Sequence, residues 1–374
     1  MAEAADVHSR AAPLKLRVLI VSSFVLPHAG GVEQFVDRAS GLLSERGARV
    51  RLLACKREDA QADAYVRALF LGRSEWPMPI GGLRTLWREI GDSDVVLLNS
   101  HRHLLTVAGA LLARLRKRRC LLVVHTSDAG AVGSLAYRLI ARSFDQTLTR
   151  LAFSLSTVVA FSPAAAELAR TLGAKPLLLP FPLPDMPSPR QAPGGRKGVP
   201  QIVWVGRLAA EKDPLGAVDA VEQLRTELPV ELHVYGDGPL RETLVDRATT
   251  RTWLHLHGNC TRKQVLAAQR EADVCLGSSR TESAHLAVLE ALIQGVPCAA
   301  TAVGDVPTYL AGELARFCVP ARDSSALAAA LHELLRGDYN RAFLENAERL
   351  RLVADDGQSL CNLVFDGRPQ EGLG

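Results

Sequence analysis

Two glutamates, Glu282 and Glu290, stand eight positions apart in a stretch that changes from polar to apolar between them. Glu282 follows Ser278-Ser279-Arg280-Thr281, a loop composition, whereas Glu290 falls within a segment that reads as a helix from about Ala284 to Gln294. A loop carboxylate can accept hydrogen bonds from sugar hydroxyls. One placed early in a helix can hold two cis hydroxyls with its two oxygens, if that helix points its N-terminus and free amides into a cleft. An exposed helical glutamate produces the same spacing.

A second constellation is cationic. Gly206-Arg207-Leu208-Ala209-Ala210-Glu211-Lys212 follows a β-branched apolar run and puts an arginine and a lysine on one strand-end loop. Two cations there can neutralise a diphosphate, including the charge that builds on a departing nucleotide; a solvated basic loop has the same residues. His125 closes another apolar run and precedes Thr126-Ser127-Asp128. Its imidazole is placed as a hydrogen-bond donor to a transferring group, or as a structural histidine. His101 and His103 have a weaker claim as acceptor-side residues. Gly30-Gly31-Val32-Glu33 opens a helix after the first apolar run, which suits close approach of backbone N–H groups to a phosphate, or a tight turn.

Such residues share a chemistry only if the fold gathers strand ends. Strands are expected at Leu16 to Val25, Arg49 to Ala54, Asp94 to Leu98, Cys120 to His125 and Thr157 to Phe161. Helical segments such as Val32 to Arg46 and Leu104 to Arg116 lie between them. That alternation implies a parallel sheet covered on both faces. It breaks in the Pro- and Gly-rich segment from Pro180 to Pro200 and restarts at Gln201. Further strands are expected at Ile202 to Val205, Glu231 to Tyr235, Leu254 to His257, Val274 to Leu276, Cys298 to Ala300 and Ala315 to Val319. The fold class is therefore α/β, with two doubly wound Rossmann-like sheets facing across a cleft: residues 1–183, a linker over 184–200, and residues 201–374. Ligands of such sheets sit beyond the carboxyl ends of the strands, where the residues above fall.

Composition narrows the function. The 44 Lys+Arg against 40 Asp+Glu give a formal charge of +4, too mild for a nucleic-acid footprint, so no nucleic-acid partner is expected. The seven cysteines are scattered without a C-x-x-C pair and read as reduced thiols, with no metal site. The first 14 residues lack a signal-like apolar core, and no run is long enough to span a bilayer, so a cytoplasmic protein is expected. The basic run Arg114-Leu115-Arg116-Lys117-Arg118-Arg119 reads as a solvated helix end, with weak peripheral contact at the inner membrane face as the alternative.

In order and spacing, Gly30-Gly31-Val32-Glu33, His125-Thr-Ser, Gly206-Arg207 with Lys212, and Glu282-x7-Glu290 resemble the retaining glycosyltransferases of family 4, the glycosyl transferases group 1 with the two-domain GT-B fold. The resemblance runs from about Leu16 to Asp323. Ser162-Pro163, Ala272-Asp273-Val274, Gly295-Val296-Pro297 and Gly304-Asp305-Val306-Pro307 echo it more weakly. It implies a nucleotide diphosphate sugar, most often a UDP-sugar, as co-substrate, no separate cofactor and no metal. It further implies that Gly31, Arg207, Lys212 and the helix start at Leu286 bind the diphosphate and that Glu290 binds the ribose. Glu282, Ser283, Ala284 and His285 would meet the donor sugar, with His125 and Glu282 nearest the reacting carbon. The acceptor, a lipid, glycan or small-molecule hydroxyl, would be read by loops of the first half, at Glu58 to Leu83 and Ser127 to Tyr137. Arg341 to Leu350 would form a helix packing back on the assembly.

The sequence departs from the family pattern in two places. Ser283-Ala284-His285 replace the usual Gly-Phe-Gly, and Pro180-Phe181 replace a usual Pro-Asn. The first departure leaves room for a non-catalytic sugar-nucleotide-binding homologue, and the same fold also serves sugar-nucleotide epimerases.

Overall fold

The computed structural model describes residues 15–25, 31–57, 60–71, 76–125, 135–190, 198–352 and 354–367. Its first sheet contains β1 (Arg17–Ser22), β2 (Arg49–Cys55), β3 (Ala64–Leu71), β4 (Trp76–Gly81), β5 (Val95–Asn99), β6 (Arg119–Val124), β7 (Thr157–Ala160) and β8 (Leu177–Leu178), in the order β4-β3-β2-β1-β5-β6-β7-β8. Every neighbouring pair is parallel except β3 with β4. Successive β1 residues face opposite layers: Val18 and Ile20 join Phe35, Ala39 and Leu43 of helix Gly31–Glu45, while Leu19 and Val21 join Leu86, Ile90 and Leu105. Burial on both faces is why these strands read as continuous apolar runs.

After β9 (Phe181–Pro182) the second sheet contains β10 (Gln201–Val205), β11 (Glu231–Tyr235), β12 (Leu254–Gly258), β13 (Val274–Gly277), β14 (Cys298–Thr301) and β15 (Cys318–Val319), all parallel, in the order β12-β11-β10-β13-β14-β15. Its helices start on readable signals. Asp213 caps Pro214–Leu224 by accepting from Gly216 N–H, and Thr261 with Gln264 forms a reciprocal capping box on Arg262–Glu271.

The strand order turns back on itself twice, at β1/β5 and at β10/β13. These are the crevices where doubly wound sheets take ligands. Ser22, Asn99 and His125 lie at the first; Gly206, Arg207 and Ser278 lie at the second.

Two expectations need correction. The stretch Glu58 to Leu83, expected as a variable loop, holds β3 and β4 in its described part. Ala64 and Val66 turn into the core, and Pro77 and Pro79 fit because β4 is an edge strand that can spare N–H donors. The expected strand Ala315 to Val319 is mostly a 3-10 helix, Gly312–Phe317, which buries Leu314 and Phe317 three residues apart, and only Cys318–Val319 pairs. The expected helix Arg341 to Leu350 is present as Asn340–Arg351 and packs against helix Leu286–Ile293 of its own half.

The return is made further on. β16 (Ala354–Asp355) pairs with β9, and helix Gln358–Asp366 packs on Gly31–Glu45 while Arg119 donates to its Leu363 and Val364 carbonyls. The chain from Ala354 thus sits on the first half rather than the second. No helix among the described residues is long and apolar enough to cross a membrane.

Candidate functional site

At the first switch point a polar chain links three strand ends. Asn99 Nδ2 donates to Ser22 Oγ at 3.0 Å and towards the Val32 carbonyl at 3.4 Å, and Ser22 Oγ donates to the Phe24 carbonyl. Those two acceptors orient the Asn99 amide, so its Oδ1 must accept from His125 Nε2, 2.6 Å away. His125 therefore carries its proton on Nε2, held inside the first half, and offers a lone pair rather than a donor at Nδ1. The Nε2 proton that was expected to reach a transferring group is donated to Asn99 Oδ1 instead. The ring rests edge-on against Phe35, and burial lowers its pKa to about 4, so it is neutral at physiological pH. The expected strand stopped at Leu98, one residue short of Asn99; the strand-end logic applied to His125 would otherwise have selected it.

His101 and His103 pack within the first half. His101 is buried 3.8 Å from Asp145, which Arg102 grips with two nitrogens, and burial pushes its pKa well down. His103 lies against Phe24, with its pKa lowered by burial to about 4. Gly31 opens its helix; Gly30, Thr126, Ser127 and Asp128 lie outside the described residues.

At the second switch point the loop after β10 is fastened from below. Ser278 Oγ accepts from Trp204 Nε1 at 2.9 Å and reaches the carbonyls of Lys212 and Asp213, while Arg280 donates to Asp213 Oδ1 at 2.8 Å. From the side it meets Gly236-Asp237-Gly238. A Cβ on Gly236 would come within 1.9 Å of the Gly206 carbonyl oxygen, so this glycine is set by close backbone approach as well as by its φ of +139°. The loop presents Arg207 and Lys212. Arg207 is 39% exposed and only 4.0 Å from Glu211, a loose contact, whereas Lys212 Nζ is bonded to Glu282 Oε1.

Glu282 also accepts from Ser279 Oγ at 3.0 Å and lies 3.9 Å from His285 Nδ1. Burial opposes its ionisation, but Lys212, His285 and Ser279 outweigh burial and hold the carboxyl below its ordinary range. His285 occupies the left-handed region (φ 38°, ψ 64°) as N-cap of helix Leu286–Ile293, caps it with no side-chain bond, and is kept neutral by burial, its pKa lowered to about 4. The helix start at Leu286 is therefore left to its own amides.

The two halves meet at this point. Ser283 Oγ donates to the His125 carbonyl. Gly304, at φ +54°, would set a Cβ 2.0 Å from the Ser283 carbonyl oxygen, and Asp305 N–H donates to that same oxygen. Asp305 Oδ1 in turn accepts from Ala164 N–H at 2.9 Å, at the start of helix Pro163–Thr171. Ser162-Pro163 and Gly304-Asp305, weaker echoes of the family pattern in sequence, thus form one contact across the cleft.

Glu290 differs most from expectation. Its Oε1 accepts from Arg38 Nη2 at 3.0 Å and from Arg262 Nε at 3.2 Å, one arginine from each half, and the Arg38 and Glu290 side chains are only 9% and 8% exposed. Burial lowers the Arg38 pKa against the pull of Glu290. Two guanidiniums around one carboxylate leave a surplus positive charge at the cleft. Neither arginine was visible as a site residue, because their meeting depends on how the halves dock.

Comparison with known proteins fits this geometry. The model of Glycosyltransferase Family 4 matches residues 29–177, and that of Glycosyl transferases group 1 matches residues 199–337. This chain belongs to the group 1, family 4 glycosyltransferases. Among curated relatives, glycogen synthase of Mycobacterium tuberculosis is 30% identical over 165 residues, 43% of this chain and 40% of that protein. The D-inositol 3-phosphate glycosyltransferase of Xylanimonas cellulosilytica is 31% identical over 179 residues, 45% of this chain and 42% of its own. The chain thus matches about two fifths of the length of these relatives. Among solved structures, Anabaena HepE in complex with UDP and glucose superposes with a TM-score of 0.71 at 14% identity, covering 94% of this chain and 99% of its own. Sucrose-phosphate synthase of Thermosynechococcus elongatus gives 0.68 at 18% identity, covering 95% and 100%. The fold of this family member is GT-B.

Proposed function

We propose that this glycosyltransferase moves a sugar from a nucleotide diphosphate sugar to a hydroxyl acceptor with retained anomeric configuration and without a metal. The observation that supports the reading best is the bonded set Lys212, Glu282, Ser283 and His125, which joins the strand ends of both switch points. Arg207 and Lys212 would neutralise the diphosphate as it leaves, with the amides at Leu286 and Gly31 contributing dipoles. Glu282, already ionised, would accept from donor-sugar hydroxyls, and Ser283, Ala284 and His285 would shape that subsite. Glu290 would take the ribose hydroxyls beside its two arginines. The departing phosphate would deprotonate an acceptor arriving on the same face, so no protein nucleophile is needed. UDP is the favoured nucleotide because HepE was solved with it. The acceptor would be a lipid, glycan or small-molecule hydroxyl bound on the first half.

A second reading is favoured by one observation: Ser283 fills the meeting point of the halves with a bonded side chain where the family has bare glycine. In that reading the chain binds the nucleotide sugar without transferring it. The two separate on turnover. Incubation with UDP-sugars, GDP-sugars and ADP-sugars, with and without hydroxyl acceptors and with EDTA throughout, should release nucleotide only when an acceptor is present. Binding without release over any acceptor would replace transfer with the second reading.

A further inference from the structure

Away from the cleft, Glu231, His233 and His255 gather on one face of the outer strands of the second sheet. β12 is an edge strand, and β11 pairs with it so that His233 stands directly beside His255, while Glu231 opens β11 two residues before His233. Strand alternation sends all three to the same face, with Leu232, Val234 and Leu254 buried on the other. Glu231 Oε2 lies 3.5 Å from His233 Nε2 and 3.7 Å from His255 Nε2. Two ligands on one tetrahedral zinc, each about 2.05 Å from the ion, are about 3.4 Å apart. The ligand atoms of all three residues fall within 4.8 Å of one another.

Two further observations point at an ion rather than a surface cluster. Both Nε2 atoms are withdrawn from solvent and meet only the long contacts to Glu231, with no well-formed hydrogen bond among the described residues, although the side chains themselves are 16% and 37% exposed. Unmade bonds on withdrawn nitrogens are costly unless something else accepts the lone pairs. His233 Nδ1 is 3.0 Å from His257 Nε2, and His257 is itself stacked on Tyr235 at 4.2 Å. With the proton on His233 Nδ1 donated to His257, the Nε2 lone pair faces Glu231. That outer-sphere bond is the one that orients a metal-ligating histidine.

We propose that Glu231, His233 and His255 form a binding site for a divalent transition metal, with zinc as its fitting occupant, which clasps edge strand β12 to β11. Two imidazoles and one carboxylate select zinc or its neighbours over magnesium and calcium, which take oxygen ligands. Glu231 opens β11 and His255 is the second residue of β12, away from the strand ends that face the cleft, so the site serves the sheet edge and transfer does not require it.

The test uses the full chain without a histidine tag, titrated with zinc against a chromophoric chelator and followed by thermal unfolding. One saturable equivalent per chain is expected, with Tm raised by a few degrees because the ion binds only the folded chain. His255→Ala and Glu231→Gln, checked for folding by circular dichroism, should each weaken binding at least tenfold. His257→Ala should weaken it about tenfold through the lost outer-sphere bond. His332→Ala, on helix Ser324–Arg336 beside Glu227, should bind as the parent does. Magnesium should leave Tm unchanged. Absence of saturable zinc binding, or binding that survives both His255→Ala and Glu231→Gln, overturns the assignment.

Discussion

Arg38 and Glu290 meet at 3.0 Å across the cleft, the first from helix Gly31–Glu45 and the second from helix Leu286–Ile293. The pair joins a carboxylate that the family pattern gives to the donor with a cation that the pattern does not contain. Removing one member leaves the other buried and uncompensated. Glu290→Ala should therefore cost about 3–5 kcal/mol in chemical denaturation, while Arg38→Met combined with Glu290→Gln should cost less than the sum of the single changes. Additive single losses would mean the pair is not coupled.

Lys212 governs the charge of Glu282. In Lys212→Met the burial of Glu282 acts without its main counter-charge, so the carboxyl should rise towards neutral pH and accept sugar hydroxyls less well. Transfer should fall about 100-fold or more, in line with the loss of one preorganised charge at the reacting centre. Pre-steady-state release of nucleotide, followed across pH, would show both effects; an unchanged rate would remove Lys212 from the chemistry.

Acid should destabilise the fold through its buried histidines. His103, His125 and His285 have pKa values near 4 in the folded chain, because burial disfavours their charged form. Unfolded histidine titrates near 6.5, so between those values the unfolded chain binds protons that the folded chain does not. The stability they contribute is complete above about pH 6.5 and is lost as pH falls towards 4, by about 2 kcal/mol per histidine at pH 5. Urea midpoints from pH 7.5 to 5 should decline, and His103→Gln should flatten the decline. A flat profile in the parent would contradict the burial of these rings.

The loop carrying Ser283 depends on Gly304. Any side chain there meets the Ser283 carbonyl oxygen and must also adopt a positive φ. Gly304→Ala should cost about 1–3 kcal/mol and displace Ser283 from His125, with transfer lost more than nucleotide binding. Ser283→Gly, which removes the bond to His125 without strain, separates the two effects; if both variants transfer as the parent does, this contact is incidental to the reaction.

Much of the scaffold is legible in sequence for one reason: strands buried on both faces, such as Arg17–Ser22 and Val274–Gly277, stand out as apolar runs between polar helix starts. Gly206-Arg207 with Lys212, and Glu282 with Ser283, could be placed at strand ends by the same logic. The strand β4 was obscured by Pro77 and Pro79, which argue against a strand until its position at the edge is known. Arg38 and Arg262 carry no local signal, since their roles come from partners more than two dozen residues away. The backbone of His285 was equally hidden, because a non-glycine residue at φ 38° is held there by its surroundings.

The most direct measurement of the central claim is calorimetric titration of UDP and UDP-glucose into the protein in EDTA, alongside Arg207→Ala and Lys212→Ala. Two cations holding a diphosphate without metal predict saturable binding that EDTA leaves intact and that each substitution weakens at least tenfold. Binding that vanishes in EDTA, or that both variants retain at the parent's affinity, would contradict it.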